Sequence, residues 1–399
     1  MLLSTQFMEL FREETYAVNL ELFDHKELTD VFEEILVEKP IEGLWDKEYS
    51  VVPMGALGGR MEANPIPLMN MTMGYQTFGA QASEAAGKVS LSNILAQRSR
   101  EFRSPDGTVD EPKFAGFLAD TISRGFLSRK AQRWHRLNAS IFNLGGIQAG
   151  DVFFNQRVRA NGLADVPNTN LLYDGSPLFA LPTVAHPSYA AAAVVGPGTV
   201  PVGICVDMGA TIPDTGGYFN AFILPPSYWA LKRVVTHFIQ NMSFDENDER
   251  YLMAPDTLLI SGYDEMRWME ILESRFIEPT GMTGLGVGQA STNRENVFKM
   301  ENYKLNLVVD PFLVPHTWYV GKAKAGGIIR LNPAEKDDPW AYYRDEDNRA
   351  YFISYEAYWG FMIRNWRQWC AGAISLDGVT PPAFNGVAEA AWDTIPAGV

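Results

Sequence analysis

The stretch from Asp110 to Gly146, DEPKFAGFLADTISRGFLSRKAQRWHRLNASIFNLGG, constrains the chain more than any other. Asp110 suits a helix N-cap, Glu111 and Pro112 suit the first turn, and Gly145 with Gly146 supplies a stop. Nothing between them forbids a helix. At about 1.5 Å per residue such a helix spans on the order of 50 Å, longer than an ordinary globular helix, so the spacing predicts a spine over 110–145.

Its apolar residues do not keep to one face. Phe114, Leu118 and Ile122 fall to one side, while Trp134, Leu137, Ile141 and Leu144 lie roughly a third of a turn away, so a bend or a change of neighbours is expected near Gly125. Beside that shift stands a basic run: Arg124, Arg129, Lys130, Arg133 and Arg136. Arg129, Arg133 and Arg136 share a face. In a chain of net charge −15 this is a local reversal of sign. Either a solvated, ion-paired face or a contact with a polyanion would account for it.

With 399 residues, 46% of them apolar, the chain can bury large cores in two or three domains. Its acidity argues against a dedicated nucleic-acid reader. Cys205 and Cys370 are the only cysteines, too few for a disulfide framework and wrongly spaced for zinc, which fits a reducing cytosol. The opening MLLSTQFMELFREE lacks the pattern of a secretory leader, and no apolar run approaches the ~18 residues of a membrane span.

Residues 1–45 carry two short helical patterns, around Thr5 to Glu14 and His25 to Val37, which read as an arm lying on another surface. From Leu44 to Pro105 the composition turns to Gly, Pro, Met, Asn and Ser, with extended candidates at Tyr49 to Val52, Tyr75 to Phe78 and Lys88 to Leu95. That is too long for an ordinary connection and predicts a projecting loop. Met69, Met71 and Met73 alternate at strand spacing, as a packing face would. Beyond the spine, Leu224 to Asn241 reads as a helix, Tyr251 to Ile260 as a strand and Asp264 to Phe276 as a helix. Leu305 to Val309 and Trp318 to Gly321 read as further strands of the same α/β unit. Lys336 to Asp347 reads as a polar crossing, and Tyr351 to Tyr358 and Phe361 to Trp369 as aromatic strands.

Chemical signals are sparse. His25, His135, His186, His237 and His316 have no ligand partner at helical spacing, so no metal is expected. GLGVGQ at Gly284 to Gln289 lacks the lysine and the preceding strand of a phosphate loop, and no cofactor is expected. Ser261 in ISGYD does not stand in a nucleophile elbow. The pairs Asp264 with Glu265 and Asp337 with Asp338 leave a glycosidase-like reading open, although acids this common are ordinarily solvation.

Three stretches in order carry a resemblance: YDGSPLFALPTVAHP at Tyr173 to Pro187, APDTLLISGYDEMRWMEILES at Ala254 to Ser274, and LNLVVDPFLVPHTWYVG at Leu305 to Gly321. Together with the arm, loop and spine, they resemble major capsid proteins of tailed bacteriophages with the Hong Kong 97-type fold, locally the Mu-like major head subunit family. The resemblance covers roughly Tyr75 to Ala373. In the first motif it singles out Asp174, Gly175, Phe179 and His186.

The resemblance implies an α+β capsid fold. Its parts would be an N-terminal arm (1–45), an extended loop (46–105), a peripheral domain (106–187) with the spine at about 110–145, an axial domain (188–340), a return to the peripheral domain (341–376) and a C-terminal tail (377–399). It implies no catalysis. Hexamers and pentamers of the chain would form an icosahedral shell around double-stranded DNA, bound without sequence preference. A portal and scaffolding or decoration proteins would be partners, and assembly would take place in the host bacterial cytoplasm. Some relatives cross-link through a loop lysine, but here Lys47 and Lys88 are nearly all the loop offers, and no bond is assigned. The spine begins near residue 110, so a separate scaffolding protein, or none, is expected. An encapsulin-like compartment and an acidic carbohydrate-active enzyme are the alternatives.

Overall fold

The computed structural model describes residues 31–41, 45–51, 75–81, 83–92, 105–106, 110, 113–114, 116–117, 120–121, 135–145, 155–156, 177–181, 186–187, 217–243, 251–274, 276–277, 294–300, 303–333, 340–345 and 350–384. In chain order its strands are β1 (Val37–Ile41), β2 (Trp45–Val51), β3 (Tyr75–Gln81), β4 (Ser83–Ser92) and the two-residue β5 (Asn155–Gln156), β6 (His186–Pro187) and β7 (Gly217–Tyr218). Then come β8 (Thr257–Ser261), the short β9 (Phe276–Ile277) and β10 (Arg294–Glu295), β11 (Asn306–Asp310), β12 (Trp318–Gly321), β13 (Ile328–Pro333), β14 (Trp340–Asp345), β15 (Ala350–Ile363) and β16 (Trp369–Ala373). Helices α1 (Tyr228–His237) and α2 (Glu265–Glu273) lie among them, and residues 135–143 are also helical. The class is α+β.

The core is built on a four-stranded sheet in the order β11-β8-β12-β16, with β11 and β8 parallel and the other pairs antiparallel. Every residue of β8, TLLIS, is buried, as a strand covered on both faces requires. Successive side chains of β12 serve opposite faces. Trp318 packs on Trp268 of α2 at 4.9 Å, while Tyr319 meets Phe142 at 5.1 Å and Phe179 at 5.0 Å on the other side. Phe142 in turn stacks on Phe32. The sheet therefore separates α2 from the helical end at 135–143 and the turn at 31–34.

Helix α1 begins at Tyr228, later than the expected Leu224, because Pro225 and Pro226 precede it and the Ser227 hydroxyl accepts the Ala230 N–H at 3.2 Å and caps it. Arg267 Nε of α2 donates to Pro226 O at 2.6 Å, which ties α2 to the turn before α1. At its C-terminus α1 widens into a π turn, Phe238–Met242, followed by Ser243, whose hydroxyl donates to Phe238 O at 3.2 Å.

A second sheet runs β1-β13-β15-β14, with β4 also on β15. The expected projecting loop is therefore in part held by its own chain: β4 pairs antiparallel with β15 from Ser83↔Trp359 to Ser92↔Ala350. Of the two expected aromatic stretches, Tyr351 to Tyr358 and the start of the second, Phe361 to Ile363, share one 14-residue strand, β15, while Trp366–Gln368 is a 3₁₀ turn and Trp369 opens β16. Two local expectations are corrected. Helix over His25 to Val37 is reduced, within the described residues, to a 3₁₀ turn at Val31–Glu34, because Val37–Ile41 pairs in parallel with β13 and Ile41 packs with Ile329, Leu331 and Met362. Pro40 is tolerated in β1 because that strand lies at the sheet edge. The polar crossing at Lys336 to Asp347 contains β14, zipped to β15 from Trp340↔Tyr355 to Asp345↔Ala350. Charge in that stretch hid its alternating aromatics.

Of the spine, residues 113–114, 116–117, 120–121 and 135–143 are helical, and the expected bend near Gly125 lies outside the described residues. Asp110 caps its start: Lys113 N donates to Asp110 Oδ1 at 3.3 Å and Phe114 N to Asp110 O at 3.0 Å. The arm before Val31 and the methionines Met69, Met71 and Met73 also lie outside the described residues.

Candidate assembly surface and the contacts that hold it

The three stretches behind the resemblance, far apart in sequence, meet in one packed unit. Phe179 of the first lies against Tyr319 of the third, and its N–H donates to Gly145 O at 2.8 Å where the spine stops. A Cβ on Gly145 would fall 2.5 Å from the Phe179 ring, so the glycine that ends the helix also admits this aromatic. The second stretch supplies β8 between the two strands of the third.

Asn220 ties the unit together. Its Nδ2 donates to Leu178 O at 2.7 Å and Trp369 O at 3.1 Å, and its Oδ1 accepts from Ala180 N at 2.8 Å. One buried amide thus satisfies main-chain groups from two distant segments, which the low local dielectric makes costly to lose. Nothing in the local sequence marks this asparagine.

The turn from Pro311 to Thr317 is held in the same manner. Asn143 Nδ2 donates to Phe312 O and Asn143 Oδ1 accepts from Val314 N, both at 2.9 Å. Asp310 Oδ1 accepts from Phe312 N at 2.6 Å, and Thr317 Oγ1 donates to Val314 O at 2.7 Å. His316 takes the left-handed conformation, φ 64°, and its Nδ1 lies 2.8 Å from the buried Asp264 Oδ1. A carboxylate accepts, so Nδ1 carries the hydrogen. This pairing was not legible in the sequence, where 52 residues separate the partners.

Asp264, His316 and Ser261 invite a catalytic reading that the geometry redirects. The Ser261 hydroxyl donates to Leu313 O and accepts the Tyr263 N–H, both at 3.4 Å, which uses it in main-chain support. Asp264 is buried toward His316 while Glu265 is exposed on the first turn of α2, so the two carboxylates of that pair occupy separate environments. Asp337 and Asp338 lie outside the described residues. His237 is buried between Phe219 and Phe222, with Nε2 donating to Phe219 O at 2.9 Å and Nδ1 accepting from Asn241 at 3.0 Å, which fixes its neutral tautomer. Cys370 is a free, buried thiol whose pKa burial pushes far up.

Among the residues singled out from sequence, Arg136 is exposed with its guanidinium 5.6 Å from the Phe312 ring, and His135 stacks on the same ring. Phe179 is buried as described, and His186 pairs with Tyr218 in β6. Arg124, Arg129, Lys130, Arg133, Asp174, Gly175 and Cys205 lie outside the described residues. Among the described residues no group of three or more His, Cys, Asp or Glu is arranged to hold a metal ion. No described helix is long and apolar enough to cross a membrane.

The outer surface of this unit is unevenly made. Met266 is 75% and Tyr263 69% exposed, with Met269 beside them on α2. Glu265, Glu270 and Glu273 rim that apolar strip. On α1 Lys232 is exposed, 5.5 Å from the Trp229 ring, while Arg233 is half-buried with its guanidinium 5.5 Å from the Phe222 ring.

No family model and no curated protein matches the chain. Solved structures do. One, from Microbacterium phage Oxtober96, is 10% identical with a TM-score of 0.39, covering 86% of this chain and 90% of its own. The capsid of a native GTA particle is 11% identical with a TM-score of 0.38, covering 84% and 87%. The holo-SrpI encapsulin complex from Synechococcus elongatus is 10% identical with a TM-score of 0.34, covering 86% and 85%.

Proposed function

We propose that the chain is the major shell subunit of a tailed-bacteriophage head, of the Mu-like kind, which builds pentamers and hexamers around double-stranded DNA. The observation that carries this reading is the extended run through β3 and β4. Seven residues in one sheet are followed, after a single residue, by ten in another. At roughly 3.3 Å per residue the run reaches about 60 Å if straight. A compact chain of this length has a radius of gyration of about 21 Å, hence a body roughly 55 Å across. An extended run of this length, shared between two sheets, suits contact with neighbouring copies.

The meeting of the three resembling stretches in one unit supports the same reading. So do the exposed Met266 and Met269 of α2 and Tyr263 just before it, since apolar surface removed from water on assembly contributes about 25 cal/mol per Å². In this proposal the parts keep the roles of arm, extended loop, peripheral and axial domains. Arg124, Arg129, Lys130, Arg133 and Arg136 face the genome or a scaffold, with portal and decoration proteins as further partners.

The test is sedimentation and nuclease protection of the particles that the expressed chain forms. The proposal expects species at five, six or many times 44.5 kDa. It also expects double-stranded DNA to be protected when the phage packaging machinery is present. A persistent monomer would defeat the assembly claim. Closed shells that enclose protein cargo and never DNA would replace the phage head with a cellular compartment.

A further inference from the structure

We propose that the chain beyond the turn at Ser375 to Thr380 is a strap, latched by the Phe384 ring on His316, that lifts and reseats at the end of the first sheet while the sheet itself stays folded. This property belongs to the single subunit, whatever it assembles into.

Both ends of the segment meet one turn. Ala373, at the end of β16, faces Trp318 in the ladder, and Phe384 returns to His316, just before that tryptophan, with the two rings 6.4 Å apart. The Tyr263 ring lies against His316 as well, at 4.8 Å. Between these ends the chain is attached to itself rather than to the body. Ser375 is fully buried, and Asp377 Oδ1 accepts from the Ser375 hydroxyl, Val379 N and Thr380 N, so the turn is complete without help from outside it. Pro381 and Pro382 then carry no N–H, and among the described residues no hydrogen bond ties Pro381, Pro382 or Ala383 to the sheet.

Of residues 376–384 only Phe384 is buried, at 8% exposure, whereas β16 is buried throughout and paired with β12. Withdrawing one phenylalanine side chain from water favours the seated strap by roughly ten- to a hundredfold. That is far less than the many buried groups of the sheet supply, and a segment with so few buried contacts opens on its own. What it covers is polar. Beside Phe384 lies His316, its side chain 19% exposed, whose Nδ1 meets Asp264, 2% exposed. That bond holds His316 at φ 64°, in the left-handed turn that leads into β12. A seated Phe384 keeps the bond in a setting of low dielectric. Lifting it admits water to both groups and bares the imidazole.

The experiment is acylation of the histidines of the full chain with diethyl pyrocarbonate, followed peptide by peptide by mass spectrometry, with and without low urea. His237, buried in α1, reports opening of the core. In the wild type His316 should react faster than His237, at a rate that low urea leaves unchanged, as a local opening does, while the rate at His237 climbs with urea. Phe384→Ala should raise the rate at His316 by about tenfold with His237 unaltered, and Phe384→Leu, which keeps an apolar latch, should stay within about twofold of the wild type. Rates at His316 and His237 that rise together in urea overturn the strap, since the latch then opens only with the core. That comparison uses the wild type alone and holds even if the alanine variant fails to fold. An unchanged His316 rate in a folded Phe384→Ala variant overturns the strap as well.

Discussion

The Trp318 indole lies directly over Gly372, so closely that a Cβ at residue 372 would sit 2.1 Å from the ring. The large aromatic and the bare backbone are a single packing solution at the boundary between β12 and β16. Gly321 does the same for Trp369 on the adjoining strand, where a Cβ would meet the indole at 2.4 Å.

Gly372→Ala should therefore force Trp318 off Trp268 and destabilise the unit by about 1–3 kcal/mol, the usual cost of overpacking. Urea denaturation followed by tryptophan fluorescence measures it. An unchanged midpoint would mean that the sheet yields where the packing says it cannot.

Asn220→Ala should cost about 2–4 kcal/mol, since it strips partners from the Ala180 N–H and the Leu178 and Trp369 carbonyls at once. The midpoint should fall with little change in slope. Asn220→Asp should also destabilise, because the donating amide is replaced by a second acceptor facing carbonyls.

The pairing of Asp264 with His316 should show as a coupling above about 1 kcal/mol in a double-mutant cycle with Asp264→Asn and His316→Ala. Simple additivity would assign the turn's rigidity to Asn143 and Thr317 instead.

Acid should loosen the turn at Ser375 to Thr380. Thr380, through its hydroxyl and its N–H, with Val379 N and the Ser375 hydroxyl, holds the Asp377 carboxyl well below the usual carboxylate range. A depressed folded value means the contribution is fully present above the unfolded pKa of about 3.9 and is lost as pH falls from there through the folded value. The turn is exposed, so the expected signal is local: faster amide exchange at Val379 and Thr380 at low pH, which Asp377→Asn should make largely independent of acid.

Legibility in the sequence followed how local the cause was. Helix α1, with its apolar periodicity, and strand β12, with its apolar run, were readable because a few neighbouring residues set them. Strand β1 was not, because its partner β13 lies almost 300 residues away and its own acidic, Pro-containing stretch favours no strand. Separations of 52 residues, and of 40 to 149, likewise hid the bond from Asp264 to His316 and the role of Asn220. At the surface, the methionines and glutamates of α2 were visible as residues, but which of them faced outward became clear only once Trp268 was seen to face the sheet.

The central claim, that this chain is a shell subunit, is tested most directly by cryo-electron microscopy of the purified full-length protein. The account expects rings of five or six copies and closed icosahedral shells. A field of single, compact 44.5 kDa particles at every concentration and salt tried would contradict it.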